Sequence, residues 1–229
     1  FTDGDTYTYK VERTDFFKGV AASPEVFHYT YTIRNSKSNF EHERVYTASS
    51  RDQQIETYNS NNFQTKIAYA QYGCTMTEGQ DGPGFTLKVG NQWDSRYSSQ
   101  CTKDVTYPSE FHSTGSITTK ETIKTEAGDF SAYKAEKSRE QKNQSFTSLL
   151  KSSCWYDEKT AMMVACDETY RTTGIDGKTL EHNLKTMLIG INVKNHATKA
   201  LTPAVYAGEW QVSFSGTLQG WCDVKISTN

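Results

Sequence analysis

The chain is expected to be all-β: a curved antiparallel meander, half-barrel-like, with a short C-terminal β-hairpin extension. Three observations predict this. Polar and apolar residues alternate with a period of two along much of the sequence. Fourteen Tyr, eleven Phe and four Trp supply the aromatic side chains that strands favour. Five cysteines, Cys74, Cys101, Cys154, Cys166 and Cys222, lack any zinc, haem or thioredoxin spacing, so disulfides are their natural use.

Tyr7, Tyr9 and Val11 alternate with Thr6, Thr8, Lys10 and Glu12, which predicts the first strand. Phe27, Tyr29, Tyr31 and Ile33 repeat the pattern, and the Asn35 to Asn39 cluster turns the chain into a partner strand reaching Ala48. Further strands are expected at Gln54–Tyr58, Thr65–Tyr72 and Phe85–Val89, the last two separated by a loop carrying Gly79, Gly82, Pro83 and Gly84. Ser116–Thr125 and Asp129–Lys137 form another pair across Glu126, Ala127 and Gly128, and Leu149–Asp157 pairs with Met162–Tyr170. Leu180, Leu184, Met187, Leu188 and Ile191 fit a helix face, yet Thr179–Val193 is equally readable as a long strand, the preferred reading.

Composition shifts divide the chain into a β-domain over 1–195, a linker over 196–207 and a hairpin over 208–229, the start of a second β-module. The net charge of -2 arises from 25 basic and 27 acidic residues without a basic stripe, so nucleic acid is not an expected partner. No apolar run is long enough for a transmembrane segment. Because the chain starts at Phe1, it reads as a trimmed, secreted or periplasmic protein, compatible with a lipid anchor upstream.

Setting Cys154 opposite Cys166 in a hairpin places Tyr156 opposite Val164 and Glu158 opposite Met162, and leaves Trp155 on the other face. Cys74 and Cys101 flank a long loop, and a bridge there stabilises by roughly 3–4 kcal/mol in the chain-entropy view. Cys222 has no evident partner; it is either a buried thiol or an intermolecular link.

No nucleophile elbow, HExxH, P-loop, dinucleotide fingerprint or CxxC occurs, so no catalytic residue and no cofactor is assigned. His28 and His42 lie on strands expected to pair, but two histidines do not make a metal site and none is assigned. Core packing accounts for most aromatics; Trp93, Tyr97, Tyr107 and Trp155 are the candidates for a ligand-binding face. Asn143-Gln144-Ser145 is a glycosylation sequon, meaningful in a eukaryotic source.

The stretch from Glu121 to Lys134, containing Ala127-Gly128-Asp129-Phe130, followed by Trp155-Tyr156 and a hairpin, resembles a bacterial secreted or lipoprotein family of unknown function. That family carries an E-x-V-x-V-P-A-G-x-F-x-A-x-K stretch before a W-Y-x-P-x-x-G-x-V hairpin. Gly4-Asp5 and Val89 to Trp93 fit its other motifs, while Glu126 and Glu158 stand where it has proline and Ala161 falls near its hairpin glycine. The resemblance implies a cell-envelope protein with a curved sheet similar to the half-barrels of the lipoprotein carriers LolA and LolB, and no catalytic residues. The expected function is thus non-enzymatic binding of a ligand or envelope protein partner on one sheet face. Two alternatives stay open: a structural subunit that self-associates through the C-terminal hairpin, and an envelope glycan hydrolase.

Overall fold

The computed structural model describes residues 3–17, 19–34, 42–48, 51–59, 61–69, 73–77, 79–84, 86–102, 106–193, 208–214 and 220–226. The chain divides into two compact units, Phe1–Lys194 and Asn195–Asn229. In the first unit the strands are β1 (Thr6–Phe17), β2 (Val20–Ala21), β3 (Glu25–Arg34), β4 (His42–Ala48), β5 (Arg51–Tyr58), β6 (Gln64–Ala68) and β7 (Gly73–Met76). They continue as β8 (Gln92–Thr102), β9 (Thr106–Thr125), β10 (Gly128–Lys142), β11 (Phe146–Asp157), β12 (Met163–Gly174) and β13 (Thr179–Asn192). In the second unit β14 (Gly208–Phe214) pairs with β15 (Gly220–Ile226), with Cys222 opposite Val212. The expected turn at Asn35 to Asn39 and the linker over 196–207 lie outside the described residues.

From β3 to β13 each strand pairs antiparallel with the next, as a meander should. The open half-barrel is nevertheless corrected, together with the likeness to carrier half-barrels. β1 pairs with β3 on one side and with β13 on the other, from Thr6 opposite Asn192 to Phe16 opposite Glu181. This joins β1 and β3–β13 into a closed twelve-stranded barrel, with β2 folded back on the end of β1. Closure satisfies the backbone groups that a half-barrel leaves bare at its two edges.

Other expectations fare unevenly. Thr179–Asn192 is a strand, and the helical spacing of its leucines is incidental. The strand expected at Phe85–Val89 is absent over the described residues 86–89, which are irregular, whereas β7, β8 and the first half of β9 were not anticipated. Cys154 is bonded to Cys166 and Cys74 to Cys101, each pair directly opposite across adjacent strands. A bulge between Trp155 and Tyr156 sets Tyr156 opposite Met163 instead of Val164. Ala161, at the β11–β12 turn, holds φ of 54°, in the left-handed region that favours glycine.

Inward side chains fill the barrel. Tyr7, Tyr9, Val11, Tyr29, Ile33, Met162, Val164 and Leu188 belong to one buried cluster. Within it Tyr9 stacks on Tyr29 at 5.0 Å and Tyr29 meets Tyr46 at 4.8 Å, while the Tyr9 hydroxyl donates to the Met163 carbonyl at 2.8 Å. Trp93, Ile117 and Ala135 form a second cluster, on which Leu87 from the β7–β8 connection packs.

That connection also delivers Asp81 to the inner face of β10. Arg139 Nη1 donates to Asp81 Oδ2 at 2.7 Å, and Lys137 Nζ lies 3.4 Å from the same oxygen. Gln80 N donates to Ser95 Oγ of β8 at 2.9 Å, which ties the loop to the wall. Burial pushes the Asp81 carboxyl up, but Lys137 and Arg139 outweigh it and hold the group below its ordinary value. Glu168 on β12 is shifted the other way: burial raises it, and the same two cations only partly offset that.

A raised carboxyl pKa means that ionisation is harder in the folded state. Stability associated with Glu168 is therefore present below the unfolded value near pH 4.3 and is lost as pH rises through the higher folded value. Glu168→Gln should flatten this fall, so that thermal melts show the variant gaining on the wild type over the interval above the unfolded value. A variant that loses ground over that interval contradicts the assignment.

Candidate binding surface on the barrel wall

Strand alternation that fills the lumen also sets which residues face outward, and the register aligns them into rows around the wall. Thr114, Ser138, Lys151, Thr169 and Asn183 are successive partners on β9 to β13. Glu136, Ser153, Asp167 and Lys185 form the next row, and Lys134, Trp155, Ala165 and Met187 the one beyond it.

A depression of about 620 Å³ runs across the first two rows, from Thr114 and Gly115 to Asn183 and Lys185. It lies on the outer side of the wall, because on the inner side the Trp93 ring sits where a Cβ on Gly115 would be, 2.1 Å from Cζ2. A second depression, about 380 Å³, lies over the third row, between Trp155, Ala165 and Met187 and the β9–β10 hairpin residues Ile123 and Glu126. Asp167 and Lys185 line both, so the two make one trough with a polar and an apolar end.

Trp155 is fixed in place: its indole N–H donates to Glu121 Oε1 at 2.7 Å, and Lys134 Nζ approaches the ring at 5.5 Å. Lys134 also pairs with Glu136 at 2.8 Å, an exposed contact of small energetic weight. Asn183 Oδ1 is buried and makes no hydrogen bond. Charges alternate along the trough, with Lys151 and Lys185 set among Glu136 and Asp167.

A smaller cavity of about 220 Å³ lies inside, where Gly82, Pro83 and Gly84 of the loop approach Tyr9, Tyr31, Tyr58, Phe63 and Tyr156. Arg44 borders it, donating to His42 Nε2 at 2.9 Å and to Asn62 Oδ1 at 2.8 Å while lying 4.0 Å from the Tyr58 ring. Glu56 accepts from Tyr58 at 2.7 Å and Gln54 at 2.6 Å. This interior is crowded with mutually bonded groups.

The four aromatics singled out in the sequence are not brought together. Trp93 is inside and donates to Ser113 Oγ at 3.2 Å; Tyr97 stacks on Phe111 with ring centroids 4.7 Å apart. Tyr107 lies opposite Cys101, its side chain outside the described residues, and Trp155 faces outward. His28 is exposed and His42 buried, at opposite ends of the β3–β4 pairing. Among the described residues no group of three His, Cys, Asp or Glu side chains is placed to hold a metal. Sequence reasoning missed the Asp81–Lys137–Arg139 cluster. Lys137 and Arg139 continue the inward series begun by Ala135, but charges at alternate strand positions read as a solvated face.

No family profile matches the chain, and no curated protein matches it in sequence. Among solved structures it is similar to an exported protein with a YmcC-like fold from Bacteroides fragilis, at 11% identity and a TM-score of 0.46, covering 84% of this chain and 97% of that one. It is also similar to the lipoprotein YmcC of Escherichia coli, at 9% identity and a TM-score of 0.41, covering 80% of this chain and 87% of that one. A lipoprotein from Parabacteroides distasonis stands at 14% identity and a TM-score of 0.42, covering 83% of this chain and 96% of that one.

Proposed function

We propose that this chain is an exported, non-enzymatic binding protein that takes an extended ligand or partner along its outer wall. The observation that carries the reading is the division of space: the lumen is occupied by tyrosines and an inserted loop, while the continuous open trough lies outside, across β9 to β13. Export is supported by two cross-strand disulfides, bonds that persist in oxidising compartments. A barrel crossing a bilayer presents an apolar band outward. Here Glu136, Lys151, Asp167 and Lys185 stand in mid-wall, which favours a water-facing barrel.

Native mass spectrometry of the protein taken directly from its source tests this. The wild type should carry a ligand or partner that is absent from a Trp155→Ala, Lys185→Glu double variant of unchanged fold. A clean apo monomer, or equal occupancy of both proteins, contradicts the reading.

A second reading rests on β14 and β15, which among the described strands pair only with each other. An isolated two-stranded hairpin is marginal in water, so self-association through this hairpin is a natural completion. Sedimentation should then show a concentration-dependent dimer that Cys222→Ser weakens; a monomer at all concentrations removes this reading.

A further inference from the structure

We infer that the trough takes a linear, uncharged oligosaccharide lying across the strands, an assignment that rests on the trough being the binding surface. A peptide added as a strand at the open edge of β9, Thr118–Thr125, would run along the strands, whereas the trough crosses them. A helical partner needs an apolar seam, and here only the row containing Trp155 is apolar. What remains is a wall of alternating donors and acceptors. Lys151 and Lys185 donate, Glu136 and Asp167 accept, and Ser138, Ser153, Thr169 and Asn183 do both. A neutral polyol satisfies such a row, whereas a polymer of either charge meets repulsion along part of it.

Two further features fit a sugar chain. The Asn183 side-chain oxygen is buried without a partner, a costly state that rotation toward a ligand hydroxyl relieves. At the apolar end Trp155, held by Glu121, is suited to the C–H face of a terminal ring. The five strands β9 to β13 span about 19 Å at the usual spacing, which sets the length of chain that fits.

The test is calorimetric titration of the full chain with neutral linear oligosaccharides of the cello, malto, manno and chito series, with binding mapped by amide chemical shifts. One series should bind, its affinity rising with length until the chain reaches about 19 Å, with shifts confined to β9–β13. Trp155→Ala should weaken it about tenfold and Asn183→Leu about threefold to tenfold. If no series binds while native protein still arrives with its trough occupied, the sugar assignment falls and the binding surface stands. If sugars bind but shift the lumen residues around Arg44, both fall.

Discussion

Replacing Arg139 with methionine is expected to destabilise the protein by about 3–5 kcal/mol, because the change leaves Asp81 in the lumen with the longer contact to Lys137 as its remaining ion pair. Buried charge is tolerated here as a set, and removing one member leaves the others uncompensated. Asp81 and Arg139 already keep one atom each, Oδ1 and Nε, without a hydrogen bond, so the cluster has little with which to compensate further. An Asp81→Leu, Arg139→Met double variant should recover most of the loss, since a buried pair replaced by apolar groups of similar volume is often neutral. The Asp81 carboxyl is held below its ordinary value, so its contribution is present above the unfolded value near 3.9 and is lost as pH falls through the folded one. Urea melts check this: a loss below about 1 kcal/mol for Arg139→Met, or equal losses in single and double variants, removes the internal tether from the account.

Gly115→Val should cost about 3 kcal/mol, and Gly115→Ala somewhat less. A Cβ at this position meets Trp93 Cζ2 at 2.1 Å, Cη2 at 2.5 Å and the Glu136 carbonyl oxygen at 2.6 Å. The last contact is backbone of the neighbouring strand and cannot rotate aside. Trp93 would have to leave its place and break its hydrogen bond to Ser113, which its fluorescence should report as a red shift accompanying the lowered melting temperature. Wild-type emission and stability in Gly115→Ala would show that the indole does not lie against this glycine.

How far the residues themselves announce this structure depends on what each strand faces. β1, β3 and β11 to β13 meet the apolar part of the lumen, so their alternation is plain in Tyr7, Tyr9 and Val11 or in Leu150, Cys154 and Val164. β8 and the start of β9 were missed because their inward residues include Ser95, Ser99, Ser109 and Ser113. Ser95 accepts from the inserted loop at Gln80 N, Ser113 from the Trp93 indole and Ser109 from Gln141, so hydroxyls stand where the pattern expects apolar residues. Cys154 opposite Cys166 was readable because a hairpin constrains register locally. Closure was not, since alternation reports which face is buried and says nothing about whether the first strand meets the last. The trough was legible only through Trp155; its other members became neighbours through pairings among five strands.

Everything proposed for the outer wall follows from β1 being flanked on both sides. Successive amides of a strand point to opposite neighbours, so hydrogen exchange read residue by residue along Tyr7 to Glu12 distinguishes the closed barrel from an open sheet. With β3 on one side and β13 on the other, protection should run unbroken through these residues. Slow exchange at every second amide, with the alternate ones as fast as free loops, would mean that β13 does not bond to β1 and that the sheet is open.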